Sequence, residues 1–260
     1  MFPANSLILI IVGALFCSIG FYRFIWFMSV GYGLAIAGIG MAMLVLGIIH
    51  HMIDLSIAML CILAIAYGCR LGGFLLIRDL KVTSYNTRKD VKVGKVPLFV
   101  QVIMWIFMFL LYYCETSPIW YRMNNIGHGD IFAWIGIIIA LCGIVLEAIA
   151  DSQKNDAKKK NPALPAMDGI YKLCRCPNYF GELVFWTGVF ISGVNTIHGA
   201  QWIIALIGYI GIIVIMISGA KRLEKRHIKN YGKLPVYQEY ASKTPILFPF
   251  IPLYHFVKDE

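Results

Sequence analysis

Long apolar runs alternate with short charged ones along this chain, and the lengths of the apolar runs decide what kind of molecule it is. Seven stretches, at 5–22, 25–49, 54–77, 97–115, 130–150, 181–197 and 200–219, are apolar over about 17–25 residues, enough to span hydrocarbon as helices. Only backbone that satisfies its own hydrogen bonds crosses lipid, so each run is expected to be a helix. Arg23 alone parts the first two, and a single kinked helix is the alternative to a pair. The first run has the look of a signal h-region. It lacks a basic leader and a small-residue cleavage site, so it is read as a helix.

Composition agrees with the pattern: 59% of the 260 residues are hydrophobic and only 14% charged. The expected fold class is therefore an all-α, polytopic integral membrane protein, with residues 1–260 forming one transmembrane domain. Of 23 Lys and Arg, six fall in 78–95, six in 154–175 and eight in 221–258. The positive-inside rule places all three clusters in the cytoplasm. Two spans separate each neighbouring pair of clusters, which gives seven helices with the N-terminus outside and the C-terminus cytoplasmic. The net charge of +9 then belongs to one membrane face. It either sets topology and attracts anionic lipid or forms a basic mouth for an anionic cofactor, and no nucleic-acid partner is expected.

Two polar connections stand out. Residues 81–96 read as a cytoplasmic link, and 152–169, with two prolines, runs directly into the motif described next. The stretch "KRLEKRHIKNYG" reads as a cytoplasmic helix closed by Gly232, after which "TPILFPFIPLYHF" returns to the membrane surface. The seven cysteines sit mostly in or beside apolar runs and form no CxxC pair, so they read as small buried hydrophobes and no metal site is expected. His50 and His51 are adjacent, point to different faces and read as interfacial residues.

Charged groups at bilayer depth are costly and tend to be functional. In "RCPNYFGE" Pro177 suits the first turn of a helix. Arg175, Asn178 and Glu182 then share one face near a positive helix end, a setting suited to phosphate or to contacts with neighbouring helices. Upstream, Glu147 and Asp151 lie one helical turn apart at a cytoplasmic helix end. Acids are unfavourable there, so each needs a cationic partner or the ribose or adenine of a nucleotide. On the third run Tyr67 and Arg70 precede Gly72 and Gly73. Arg70 can snorkel to the surface, and a tyrosine hydroxyl inside a bundle can polarise a carbonyl. Glu224, Arg226, Tyr231, Tyr237 and Tyr240 add a polar, tyrosine-rich segment that is either an interfacial belt or part of the same site.

"GIYKLCRCPNYFGELVFWTGVFISG", joined to "EAIADSQK" upstream and "LEKR…YGKLPVYQEYASKTPILFP" downstream, resembles the steroid 5-alpha-reductase family of membrane enzymes, most of all its DUF1295 branch. "YGCRLGGFLLIRD", the glutamine of "FVQVIMW" and the proline of "ETSPIW" extend the likeness over about residues 54–252, with cofactor motifs at 147–182 and 221–245. The resemblance implies a seven-helix reductase that takes NADPH from the cytoplasm and reduces a carbon–carbon double bond in a hydrophobic lipid. It implies Tyr67 and Glu182 as catalytic residues. Around the cofactor it implies Glu147, Asp151, Arg175, Asn178, Tyr179, Glu182, Arg226, Tyr231, Tyr237 and Tyr240. An address in the endoplasmic reticulum is implied for a eukaryotic host, and in the inner or plasma membrane for a bacterial one.

Two departures narrow the comparison. Steroid-reducing members carry a glutamate on the second helix that acts with the tyrosine, whereas residues 24–53 contain no acid and the nearest is Asp54. Cys176 stands where the family usually has histidine. Two other readings stay open: a membrane methyltransferase of the isoprenylcysteine carboxyl type using S-adenosylmethionine, and a non-catalytic lipid-binding protein of the same fold. Neither the lipid nor the oligomeric state is specified by the sequence.

Overall fold

The computed structural model describes residues 2–81, 96–126 and 128–256, the side chain of Lys81 excepted. Most of the connection expected at 81–96 lies outside these residues. Eight helices are present among them, and no strand: α1 Ser6–Cys17, α2 Val30–Ile49, α3 Leu55–Lys81, α4 Leu98–Asn125, α5 Ile131–Lys160, α6 Pro177–Gly193, α7 Gln201–Tyr231 and α8 Pro235–Lys243. Five of them, α2, α3, α4, α5 and α7, are long and apolar enough to cross a membrane, which makes the chain an integral membrane protein. The first and sixth expected spans occupy shorter helices, α1 and α6, of 12 and 17 residues.

The chain divides into two compact units, residues 1–137 with 189–209 and residues 138–188 with 210–260. In the first unit, α1 and α2 are separate helices, parted by two 3-10 turns at Ser18–Phe21 and Phe24–Met28. Arg23 lies between these turns and is paired with Asp79 of α3, which also accepts the indole N–H of Trp26 at 2.9 Å. The interruption legible in the sequence is therefore an anchored turn, and the chain folds back so that Gly38 of α2 faces the Phe16 ring of α1.

Glycine sets how closely α2 and α3 approach. A Cβ on Gly33 would lie 2.4 Å from the Gly72 nitrogen, and one on Gly68 would lie 2.4 Å from the Gly33 carbonyl oxygen. Inside lipid, apolar surface gains little by moving from acyl chains to a neighbouring helix, so close backbone packing is the main source of association. Helix α4 contains Pro118, which cannot donate to the Cys114 carbonyl. The Ser117 hydroxyl donates to that oxygen instead, at 2.8 Å. Gly193 and Gly208 pack against Pro118 and Cys114, where any Cβ would collide with the α4 backbone or ring.

One end of the first unit is closed by polar groups. Asp54 caps α3, accepting from the Ile57 N–H at 2.9 Å and the Ser56 hydroxyl at 2.8 Å, and it also receives the Gly129 N–H at 2.7 Å. Asp130 caps α5 through the Ala133 N–H at 3.0 Å. Arg122, fully buried, donates to Asp130, to the Asn195 side chain and to the carbonyls of Ser192 and His128. One guanidinium thus ties three chain segments whose carbonyls could not otherwise be satisfied away from water.

In the second unit α5 and α6 touch in the same manner, since a Cβ on Gly143 would lie 2.4 Å from the Phe185 nitrogen and one on Gly181 would lie 2.8 Å from the Glu147 nitrogen. The basic helix expected after residue 220 is not a separate element. Nothing between residues 210 and 231 breaks the helical hydrogen bonding, so α7 runs on to Tyr231 and ends where the Gly232 N–H returns to the Ile228 carbonyl. The large apolar side chains left exposed, such as Ile62, Phe107, Ile138 and Val214, lie on the spanning helices and in a bilayer meet acyl chains.

Two outcomes follow for the first unit. Replacing Gly68 with valine forces α2 and α3 apart and should lower stability by about 1–3 kcal/mol, read as a fall in melting temperature of the detergent-solubilised protein. Partial burial raises the pKa of Asp54 and Asp130, but hydrogen bonds to Ile57, Ser56 and Gly129 for the first, and to Asn195, Ala133 and Arg122 for the second, outweigh it and hold both below the ordinary carboxylate range. Their contribution is complete above that range and is lost as pH falls through the depressed values. A melting series should therefore be flat in these groups' contribution near neutrality and drop below about pH 4, less steeply in Asp130→Asn.

Candidate functional site

The polar residues of the second unit gather around the start of α6. Pro177 begins this helix, and the two residues before it are pinned by the chain near the C-terminus: the Arg175 N–H donates to the Pro245 carbonyl at 2.8 Å and the Cys176 N–H to the Ile246 carbonyl at 2.9 Å. The turn before it is fixed as well. Gly169 takes φ of 64°, a left-handed conformation that a side chain would resist, and the side-chain amide oxygen of Gln153 on α5 accepts the next N–H, from Ile170, at 2.9 Å. The "ADSQK" end of α5 is thereby stitched to the segment entering α6.

Arg175 is the centre of the cluster. Its guanidinium is buried and lies 3.4 Å from the Glu224 carboxylate, itself 3% exposed, and 3.4 Å from the Tyr237 hydroxyl. It also donates to the Tyr254 carbonyl. Glu224 in turn receives the Phe256 N–H at 2.9 Å and lies 3.3 Å from the His255 ring. A buried pair of this kind holds only when both charges find further partners. Here the backbone of residues 254–256 provides them, so α7 and the C-terminal segment are fastened to the entrance of α6 through one ion pair.

Around it stands a wall of rings. Tyr237 lies 6.1 Å from His227, 6.0 Å from Tyr231 and 6.5 Å from Tyr240 between ring centres. The Tyr240 hydroxyl donates to the Tyr171 carbonyl at 2.7 Å, and the Tyr171 hydroxyl donates to the Ala150 carbonyl at 3.2 Å. Lys158, from the end of α5, donates to the Tyr231 hydroxyl at 2.7 Å. Burial raises the pKa of Tyr171, Tyr237 and Tyr240, with the Arg175 charge partly opposing it for the last two. Burial also pushes the Cys176 thiol up to about 12, so this position is a neutral thiol at physiological pH.

Of the candidate residues, Glu147, Asp151, Arg175 and Glu182 are buried in this unit, and the contact of Gly181 with the Glu147 backbone sets the acid of α5 beside α6. Asp151 lies close enough to Tyr171 to help raise that phenol's pKa. The Asn178 side-chain oxygen is buried and has no hydrogen-bond partner among the described residues. Tyr179 packs against Gly219 of α7, and Arg226 is half-buried. Tyr67 belongs to the first unit, where it is completely buried. Its hydroxyl lies 3.2 Å from that of Tyr32 on α2.

Sequence reasoning passes over three buried residues. Arg122 and Glu115 are buried on α4, and each is an isolated charge in an apolar run, a signal that the chain does carry. Tyr32 gives no such signal, because a tyrosine between two glycines in a membrane helix has no charge to betray it. The Arg175–Glu224 pair spans 49 positions, and neither residue marks the other in the sequence.

Residues 21–244 match the family model described as "Protein of unknown function (DUF1295)". Over 97 residues, 35% of this chain, it is 26% identical to the steroid 5-alpha-reductase DET2 of Arabidopsis thaliana, and the match covers 37% of that relative's length. No solved structure matches the chain.

Glu224→Gln should leave the Arg175 guanidinium buried without a countercharge and destabilise the protein by about 3–5 kcal/mol. Arg175→Met with Glu224→Leu, which removes both charges, should recover most of that loss. Melting temperatures of the wild type, Arg175→Met, Glu224→Leu and the double variant measure the coupling; additive losses would mean that the pair does not act as a unit.

Proposed function

The chain belongs to the DUF1295 family, and from that premise we propose that it is a membrane reductase that uses NADPH to reduce a carbon–carbon double bond in a lipid enone. The observation that carries the reading is the Asn178 oxygen, buried at the first turn of α6 without a hydrogen-bond donor among the described residues. A buried acceptor left unsatisfied costs about 1–3 kcal/mol. A carboxamide, an amino group or a ribose hydroxyl of a nicotinamide dinucleotide fits that acceptor. The steroid-reductase relative makes a reductase the reading to test.

In this reading Asn178, Tyr179 and Glu182 on α6, with Glu147 and Asp151 on α5, bind the polar parts of the cofactor. Arg226, Tyr231, Tyr237 and Tyr240 close around it from α7, its end and α8. Arg175, engaged by Glu224, keeps that entrance in shape and lends positive potential to bound phosphate. When bound, the nicotinamide supplies the hydride. The family resemblance would give Tyr67 a hydrogen bond to the carbonyl conjugated with the double bond. Glu182 holds the cofactor side of the reaction in register. Seven spans with the basic connections in the cytoplasm would present the cofactor residues to the cytosol, and the lipid enters from the bilayer.

Thermal stabilisation tests the cofactor. NADPH at 100 times its dissociation constant should stabilise the purified protein by about 2.7 kcal/mol, and Asn178→Ala should remove the shift without lowering the melting temperature in the absence of ligand. Stabilisation by S-adenosylmethionine alone would replace the reductase with a methyltransferase, and a protein that responds to neither ligand would be a lipid-binding relative.

A further inference from the structure

The chain leaves α8 at Thr244 and returns to the start of α6, and on the way it carries the most exposed large apolar side chain among the described residues. Phe248, Pro249, Phe250 and Ile251 form a tight turn, closed by the Ile251 N–H on the Phe248 carbonyl at 3.3 Å. Proline in the second place and φ of 70° in the third are the marks of a type II turn, whose third place ordinarily takes glycine or asparagine. Here it takes phenylalanine, a bulky residue for which positive φ is a genuine outlier. Phe250 is 94% exposed and Ile251 beside it 52%.

Both feet of this turn stand on the entrance of α6. The Ile246 N–H donates to the Leu253 carbonyl at 2.9 Å and closes the loop at its base. On one side of that bond the Pro245 and Ile246 carbonyls receive the N–H groups of Arg175 and Cys176. On the other, the Tyr254 carbonyl accepts from the Arg175 guanidinium and the Phe256 N–H donates to Glu224. Phe248 lies edge to face on Phe180, with 6.4 Å between ring centres. Phe180 precedes Gly181, which touches the Glu147 backbone of α5, and the apolar run of α5 closes within a turn of that point, at Asp151. The turn is therefore fixed at the level where hydrocarbon gives way to headgroups around a spanning helix. Lys221, Arg222 and Lys225 are exposed on α7, and the Lys221 ammonium lies 5.6 Å from the centre of the Phe256 ring. Cations thus stand beside one foot of the loop.

We propose that the Phe248–Ile251 turn is a finger seated in the headgroup layer of an anionic leaflet, and that this seating holds the C-terminal strap on the entrance of α6. Water is a poor surround for an aromatic ring held outward by a backbone that glycine would form with less strain. The depth fixed by Phe180 and the cations beside the foot match an anionic bilayer surface, where apolar insertion and electrostatic attraction act together. Because the base of the loop is hydrogen-bonded to residues 175, 176 and 224, lipid that fixes the tip also fixes the strap over Arg175 and Glu224. No bound cofactor is needed for this, and the anchor stands or falls apart from the reductase reading.

The test uses the full-length protein in nanodiscs of phosphatidylcholine with phosphatidylserine. A nitrobenzoxadiazole label is attached through Phe250→Cys in a chain whose exposed cysteines are removed as Cys69→Ala and Cys142→Ala. The same label attached through Ser242→Cys, at an exposed position of α8, is the control. Nitroxide-bearing phospholipid should quench the label at position 250 while dissolved iodide does not, and iodide should quench the label at position 242. Phe250→Gly keeps the turn and removes the ring. It should melt no lower than the wild type in detergent, yet in the discs its Arg175 and Cys176 amides should exchange with deuterium severalfold faster. In discs of phosphatidylcholine alone the wild-type amides should also exchange faster than in the anionic discs. Iodide quenching at position 250 as complete as at position 242 overturns the proposal, as do entrance amides that exchange equally in the wild type and Phe250→Gly. Shielding from iodide without quenching by the nitroxide lipid means that a second copy of the chain covers the tip, and overturns it as well.

Discussion

Backbone contact at glycine is the constraint on which the rest of this structure depends. Apolar side chains gain little by leaving acyl chains for one another, so helices in a bilayer hold together where they come close enough for dense van der Waals contact. Gly33 and Gly68 do this for α2 and α3, and Gly143 and Gly181 do it for α5 and α6. The same positions decide which polar groups face each other. Tyr32 and Tyr67 meet beside the first contact, and Glu147 and Glu182 flank the second. A spacing set by missing side chains thus decides which polar groups meet.

Charge is handled by a second rule. Inside each unit a buried arginine is surrounded by acceptors drawn from distant parts of the chain. Arg122 binds a carboxylate, an amide and two carbonyls, and Arg175 binds a carboxylate, a phenol and a carbonyl. Such pairs add little net stability compared with apolar packing, but losing one partner is costly. They act as latches: Arg122 closes the polar end of the first unit, and Arg175 fixes the C-terminal segment at the entrance of α6. The Asn178 oxygen at that entrance is buried without a hydrogen-bond partner among the described residues, and the proposed cofactor site is built outward from it.

Several elements are legible in the chain itself. The start of α6 is visible because proline at a first turn and an apolar run after it leave few alternatives, and the helix does begin at Pro177. The interruption at Arg23 is visible as a charge, though its partner Asp79 is not. The end of α7 is misread from composition. A change from apolar to basic residues looks like a boundary between elements, whereas helical hydrogen bonding is indifferent to whether its side chains meet lipid or water, so one helix runs through both.

By itself the sequence determined that the chain is helical and lies in a membrane, because apolar run length and backbone self-satisfaction in lipid admit nothing else. It also marked where charged groups enter apolar runs, because charge is costly there. Only the tertiary structure decided which distant residues meet. Tyr32 is 35 positions from Tyr67, and Glu224 is 49 from Arg175. Pairings at such distances are set by how closely backbones approach and by which buried donor finds which acceptor, and neither quantity is carried by a residue's neighbours in the chain.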